Sequence, residues 1–131
     1  MTLNLVSKKV HKANLEMIQG DHGKKKAKAN VTISNEFYGN TKDQRLFRIR
    51  YEVEVTIENV VKVDISYDFD FTTDSEVSSE LLASLEVRSI APSLAYPYIK
   101  SYAEQLISMS GLGYYDLPYI NFSEEPFEEP E

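Results

Sequence analysis

The side chains that most often carry catalysis are sparse in this chain and do not form a recognisable site. His11 and His22 are the only histidines, and neither stands at a metal-ligand spacing with another histidine. The absence of cysteine excludes disulfides and thiolate metal ligands. Serine and aspartate are frequent, but nothing pairs a nucleophile with a recognisable base. We therefore expect no enzyme, no metal and no cofactor, and the chemistry to look for is binding.

Carboxylates recur at alternate positions of two neighbouring segments. The first segment holds Glu52, Glu54 and Glu58, and the second holds Asp64, Asp68 and Asp70. Like charges that face each other across a sheet destabilise it by a fraction of a kcal/mol per close pair, so water, cations or a partner must compensate them. Such a face is either simply solvated or docks a basic partner. The candidate docking residues are Glu52, Glu54, Asp64, Asp68 and Asp70.

A second set of binding side chains lies near the C-terminus, in a stretch without helix or strand periodicity. Its apolar members are Leu112, Tyr114, Tyr115, Leu117, Tyr119, Ile120 and Phe122. Tyrosine suits an adaptable binding groove because it offers a large contact area, a polar tip and a modest entropy cost. The composition fits two alternatives equally well: a loop that packs against the rest of the fold, and a groove that binds another chain.

Two strands must position the carboxylates. From Phe47 to Glu58 apolar and polar residues alternate, and the alternation resumes from Val63 to Thr72. This period of two predicts two long antiparallel strands with one buried face, joined by a tight connection near residues 59–62. Residues 31–37 predict a third strand and residues 13–17 a fourth. The connections at residues 19–26 and 38–43 are predicted loops.

Helices occupy the C-terminal half. Asp74 or Ser75 is expected to cap a short helical segment that carries Leu81, Leu82 and Leu85. Pro92 predicts a break. The next helix has Pro97 in its first turn and ends at Gly111. Its apolar stripe comprises Ala95, Tyr98, Ile99, Tyr102, Ala103, Leu106 and Ile107, while Lys100, Ser101, Glu104, Gln105 and Ser108 are expected to point away. The fold class predicted is α+β, a four-stranded antiparallel sheet with helices packed on one face.

Length and charge restrict the function further. The chain has 131 residues, which fits one domain. A net charge of -7 opposes binding to the phosphates of nucleic acids. No stretch approaches the roughly 18 apolar residues that span a bilayer, and residues 1–10 lack the apolar core of a signal peptide. We expect a cytoplasmic protein that binds no nucleic acid and does not insert into membranes.

One segment, residues 91–122, carries a specific pattern. A proline precedes an aromatic-Pro-Tyr helix start, a glycine ends the helix, and a Leu/Pro-rich loop closes on a hydrophobic-Asn-Phe sequence. The matching residues are Pro92, Tyr96-Pro97-Tyr98, Gly111, Leu117-Pro118 and Ile120-Asn121-Phe122. The segment resembles the C-terminal half of the SecB-type protein-export chaperones. The chain resembles a shortened member of the kind found in Gram-positive bacteria, because the family's second C-terminal helix is replaced by the acidic, proline-containing residues 123–131.

The resemblance implies sites. The groove that holds extended, unfolded polypeptide in such chaperones would be bordered here by Phe37, Tyr38, Leu112, Tyr114, Tyr115, Leu117 and Tyr119. The acidic sheet face would be where the translocation ATPase docks. The long helix would meet a second copy through Tyr98, Tyr102 and Leu106, in a homodimer or a homotetramer built as a dimer of dimers.

The sequence therefore predicts a single SecB-like domain over residues 1–122 and a disordered acidic tail over residues 123–131. The function predicted is that of an ATP-independent chaperone that binds unfolded client proteins and hands them to the export machinery. The alternative is a SecB-like fold dedicated to one protein partner, such as an antitoxin, without a general export role.

Overall fold

A computed structural model describes residues 2–18 and 28–128. The α+β fold expected from the sequence is confirmed: four antiparallel strands form a sheet in the order β1-β4-β3-β2, with helices on one face. The elements are β1 Leu3–Met17, β2 Ala29–Gly39, β3 Leu46–Ile57, β4 Val61–Thr73, α1 Ser79–Leu82 and α2 Leu85–Met109. The connection predicted at residues 19–26 lies outside the described residues.

The two central strands build most of the core, as their alternation predicts. Phe47 pairs with Phe71, and their rings stack with centroids 5.7 Å apart. Along the same face every second residue of β3 and β4 is buried. The turn between them places Asn59 at a φ of 61°, and the Val60 N–H donates to the Ile57 carbonyl at 2.9 Å. Asparagine tolerates this left-handed conformation, which lets β4 begin at Val61.

Strand β1 is longer than the sequence analysis predicted. It begins at Leu3, whereas the alternation indicated only residues 13–17. The register against β4 shifts between Leu5 and Ser7 and again between Val10 and Lys12. Each bulge inserts one residue and changes which parity faces the core. The period of two is therefore broken in the sequence although the strand continues.

Helix α2 begins ten residues before the predicted start and runs through Pro92 and Pro97 without a break. Ser84 caps it, since its hydroxyl accepts from the Val87 N–H at 3.3 Å. A proline inside a helix removes one backbone hydrogen bond and strains the preceding turn. Burial offsets that cost here, because Pro92 lies among residues of the helix that pack into the core. The predicted break at Pro92 was wrong.

The short helix α1 is also capped differently from the prediction. Ser78, rather than Asp74 or Ser75, accepts the Leu81 N–H at 3.1 Å. Leu81 is buried, whereas Leu85 belongs to the first turn of α2 and is exposed. Local pattern could not distinguish several serines that precede the same leucines.

The chain after α2 turns back over the sheet. Gly111 has a φ of 84°, in the left-handed region that commonly ends a helix, and the aromatic loop, residues 111–122, follows. The tail, residues 123–128, is packed rather than disordered: Phe127 is half-buried and its N–H donates to the Arg88 carbonyl at 3.0 Å. The expectation of disorder does not hold for residues 123–128. It rested on their acidic composition, whereas a single aromatic residue, Phe127, anchors this part of the tail.

Candidate functional site

Helix α2 and the tail cover the apolar face of the sheet unevenly from one edge to the other. Helix α2 lies against β4 and β1. The tail reaches β3, where the Phe127 and Tyr51 ring centroids are 5.8 Å apart. Strand β2, at the far edge, keeps a row of half-buried apolar side chains that we call the apolar row: Ala29, Val31, Ile33 and Phe37. The least covered part of this face therefore lies along β2.

Glu104 fixes the aromatic loop on α2, although the sequence analysis placed its side chain away from the core. It is buried, accepts from Lys100 Nζ at 2.7 Å and accepts from the Leu117 N–H at 2.7 Å. Lys100 also donates to Asp116 at 2.8 Å, which lowers the pKa of that carboxyl. The hydrogen bonds that Lys100 donates to Asp116 and Glu104 raise the pKa of Lys100. Helical spacing alone could not predict that Glu104 is buried, because its partner is the N–H of Leu117 in the loop.

Tyr96 is the second anchor that the predicted stripe missed. Its hydroxyl donates to the Pro118 carbonyl at 2.7 Å, and its ring meets Phe122 edge-on with centroids 5.7 Å apart. Burial raises the pKa of Tyr96 to about 12. The donor therefore stays protonated at neutral pH and ties the end of the aromatic loop to the helix.

The structure divides the predicted client-binding residues of the aromatic loop into two groups. Tyr114 and Tyr119 are 71% and 81% exposed. Leu112 and Tyr115 are half-buried against the core, and Leu117 is buried within it. The packing alternative therefore holds for Leu112, Tyr115 and Leu117, and of these five side chains only the two exposed tyrosines are presented to solvent in full.

Phe37 and Tyr38, the other two predicted client-binding residues, lie on opposite faces of β2. Phe37 belongs to the apolar row, whereas the Tyr38 hydroxyl donates to Glu36 at 2.6 Å and its ring lies under Arg50, 5.2 Å from ring centroid to guanidinium carbon. The hydrogen bond to Glu36 raises the pKa of Tyr38. The structure brings Phe37 to the apolar face and does not bring Tyr38 there.

The two edges of the sheet are protected very differently. Strand β1 carries Lys8, Lys9 and Lys12 and has two bulges. Strand β2 has neither lysine, proline nor bulge over its eleven residues, and its pairing with β3 is continuous. Lysines and bulges are the usual devices that prevent another strand from adding to an edge. Strand β2 thus offers an edge that can accept an extended chain.

The opposite face of the sheet, which we call the outer face, carries the predicted docking carboxylates. Asp70 accepts from Arg48 Nε at 2.8 Å and from the Ser7 hydroxyl at 2.8 Å, and Asp68 accepts from Arg50 Nε at 2.7 Å. The hydrogen bond from Arg48 lowers the pKa of Asp70. Two of the five carboxylates are therefore neutralised by arginines of the neighbouring strand.

The remaining three carboxylates of the outer face are engaged less. Glu52 accepts from the Ser66 hydroxyl, and Glu54 lies 3.9 Å from Lys62 Nζ. No described residue forms an ion pair with Asp64. Among the five predicted docking carboxylates, the charge that no arginine compensates is thus that of Glu52, Glu54 and Asp64.

Helix α2 carries a partly exposed apolar stripe along one flank. Ile90, Leu94 and Tyr98 are each about 40% exposed, and Tyr102 and Leu106 of the same helix are half-buried. Lys8 of β1 lies 4.5 Å above the Tyr98 ring centroid. The predicted oligomer contacts Tyr98, Tyr102 and Leu106 therefore extend toward the helix N-terminus through Leu94 and Ile90.

Among residues 2–18 and 28–128 no group of three acidic or histidine side chains could hold a metal ion. In the same part of the chain, no helix has both the length and the apolar character needed to cross a bilayer.

The solved structures that share this fold include the following two. One is the Mycobacterium tuberculosis SecB-like chaperone Rv1957 in complex with a ChAD peptide from the HigA1 antitoxin, with a TM-score of 0.73, 14% identity and 90% of each chain covered. The other is a protein of unknown function from Streptococcus agalactiae, with a TM-score of 0.56, 9% identity, and coverage of 91% of this chain and 98% of that one. These similarities establish a SecB-like fold.

No protein-family model matches the chain, and no curated protein matches it.

Proposed function

We propose that the protein is an ATP-independent chaperone that binds extended segments of unfolded polypeptide. The observation that carries this proposal is the unprotected edge of β2 beside the apolar row. An extended chain added to such an edge gains backbone hydrogen bonds, and its alternate side chains meet the apolar row. This mode of binding depends little on sequence, as a chaperone requires.

The exposed tyrosines supply a second kind of contact. Tyr114 and Tyr119 present large apolar surfaces on a loop that Glu104 and Tyr96 hold in place. Aromatic anchors at interfaces commonly contribute about 1–2 kcal/mol each. Several weak contacts of this kind, repeated on the copies of an oligomer, would hold a client that no single contact retains.

The range of clients separates two forms of the proposal. A general chaperone binds many unfolded proteins and passes them to export, whereas a dedicated one binds a single partner. The SecB-like neighbour was solved with a peptide from an antitoxin, which supports the dedicated form for a protein of this fold. A general chaperone should slow the aggregation of several unrelated denatured proteins, and a dedicated one should slow none of them.

A matched pair of substitutions tests the site itself. Ile33→Ser removes an apolar side chain from the apolar row, and Thr32→Ser makes a small change on the exposed outer face of the same strand; neither adds a charge to the edge. We expect Ile33→Ser to weaken binding of a labelled extended peptide by about tenfold, since one good anchor contributes about 1.4 kcal/mol. Thr32→Ser should leave binding near the wild-type value. Equal effects of the two substitutions on the peptide Kd would contradict binding at the apolar row.

Docking of the translocation ATPase on the outer face is the part of the proposal specific to export, and such a role places the protein in the cytoplasm. Glu52, Glu54 and Asp64 supply the charge that the arginines leave uncompensated. We expect association with a basic ATPase segment to slow as salt rises, because exposed charges are screened over about 8–10 Å. Affinity that does not change with salt would exclude this docking mode and favour the dedicated form.

A further inference from the structure

Phe127 of the tail is held as a bound peptide residue would be held. Its ring stacks on Phe122, with centroids 5.6 Å apart and planes 5° from parallel, and it also contacts Tyr51. Its N–H donates to the Arg88 carbonyl at 3.0 Å, and its carbonyl accepts from Arg88 Nη1 at 3.2 Å. We call this site, formed by Tyr51, Phe122 and Arg88, the socket. It satisfies both backbone groups of one residue and selects an aromatic side chain.

Pro92 creates the acceptor that the Phe127 N–H uses. In a regular helix, the N–H of residue 92 would donate to the carbonyl of residue 88. Proline has no N–H, so this one hydrogen bond of the helix is not made. That carbonyl accepts from Phe127 instead. The helix continues through Pro92 and, at the same turn, presents a backbone group to a second chain segment.

The tail satisfies the socket incompletely. The Tyr51 hydroxyl is buried and has no hydrogen-bond partner among the described residues while Phe127 is in place. A buried hydroxyl without a partner costs free energy. Displacement of Phe127 removes one of the rings packed on Tyr51. The unpartnered hydroxyl is polar capacity in the socket that the tail does not use.

We propose that the socket is a client subsite for an aromatic residue of an extended polypeptide, and that the tail occupies it as an internal substitute that a client must displace. This inference rests on the proposed function and adds to it the side-chain class that the subsite takes. Because the tail is covalently attached, it competes at a high effective concentration. The apparent affinity for clients is reduced by the fraction of molecules in which the socket is open.

The test uses the full-length chain and two labelled peptides. The first has the sequence of residues 123–131, and the second is an unrelated extended peptide with one central Phe. Phe127→Ala empties the socket, and we expect it to bind both peptides about tenfold or more tightly than wild type, as for a tail that is closed at least nine-tenths of the time. Replacing the Phe of either peptide by Ala should abolish this gain. Glu128→Ala, next to the anchor and exposed, is the matched control and should behave as wild type.

A second substitution in the emptied socket tests its backbone contacts. Pro92→Ala added to Phe127→Ala supplies a helix N–H to the Arg88 carbonyl and should weaken binding of both peptides relative to Phe127→Ala alone, because a bound residue then competes for that acceptor. Thermal unfolding of each variant shows whether the fold is retained.

The outcomes separate the socket from the proposed function. If Phe127→Ala binds the tail peptide no better than wild type, the socket proposal is wrong. If it binds the tail peptide but wild type and variant bind the unrelated peptide equally, the tail does not gate clients and the proposal is also wrong. If the tail peptide binds but no unrelated peptide or denatured protein binds to either form, the socket stands and the general form of the proposed function fails.

Discussion

The buried tyrosines Tyr96 and Tyr51 differ in whether the hydroxyl has a hydrogen-bond partner. Tyr96 donates to the Pro118 carbonyl, whereas the Tyr51 hydroxyl has no partner among the described residues. We expect Tyr96→Phe to lower the free energy of unfolding by about 1 kcal/mol, because it deletes a hydrogen bond. Tyr51→Phe should leave that free energy unchanged or raise it, since it deletes only an unsatisfied group. Urea unfolding measures both, and equal losses would show that the Tyr51 hydroxyl is satisfied.

The Arg48–Asp70 pair predicts how stability depends on pH. The hydrogen bond from Arg48 holds the pKa of Asp70 below its usual value of about 3.9. A carboxyl with a lowered folded pKa stabilises the fold above its unfolded pKa, and that contribution is lost as the pH falls through the folded pKa. The affected window therefore begins near pH 4 and extends downward.

We expect Asp70→Asn to lose less stability than wild type between about pH 5 and pH 2, because it lacks this contribution at every pH. Arg48→Met should flatten the profile in the same way, since it removes the same pair from the other side. Urea midpoints across this range are the measurement. Profiles of both variants that run parallel to the wild-type profile would mean that the pair does not couple to folding.

At the scale of the elements, the contact of α2 with the aromatic loop depends on Glu104. Glu104→Ala removes the acceptor of both Lys100 and the Leu117 N–H, which is buried. We expect a loss of about 2–3 kcal/mol in the free energy of unfolding, the upper range for hydrogen bonds to a charged group. Gln105→Ala changes the exposed neighbour and should stay within about 0.5 kcal/mol of wild type. A similar, small change for both variants would show that Glu104 does not hold the aromatic loop on α2.

The two edge strands of the sheet, β1 and β2, differ in their charged residues and in their bulges. The bulges of β1 leave Lys8 on the same face as the apolar residues of the strand, where its ammonium group lies over Tyr98. Lysines and bulges at an edge discourage strand addition, and an edge without them is open to it. The same sheet therefore has one edge closed to an added strand and one edge available for it.

At the scale of the whole molecule, the exposed stripe of α2 predicts assembly. We expect a homodimer or a dimer of dimers in which Ile90, Leu94 and Tyr98 meet the same residues of a second copy. Leu94→Glu should shift the assembly to monomer, because it places like charges at a symmetric contact. Light scattering and sedimentation measure the mass. Thr32→Glu, on the outer face, adds the same charge and should leave the mass unchanged; a wild-type monomer at high micromolar concentration would contradict the prediction.

The sequence by itself determined the central hairpin, the two faces of the sheet and the fold class. Alternate residues of a strand point to opposite faces. The alternation of apolar and polar residues in β3 and β4 therefore shows which face is buried and which is exposed to solvent. It also placed the aromatic loop, and the pattern at residues 91–122 predicted the SecB-like fold. Edge strand β1 was only partly predictable, because its bulges break the period that makes a strand visible.

Only the tertiary structure decided which side chains of the candidate site are available. Phe37 and Tyr38 are adjacent in sequence but occupy opposite faces, and Leu117 is buried while Tyr119 is exposed. Helix α2 continues through Pro92, and the Arg88 carbonyl, which the N–H of residue 92 would contact in a regular helix, accepts from Phe127, 35 positions beyond Pro92. The local sequence pattern indicates which residues of a strand or helix are buried and which are exposed. It cannot record a hydrogen bond whose donor and acceptor come together only after the chain has folded.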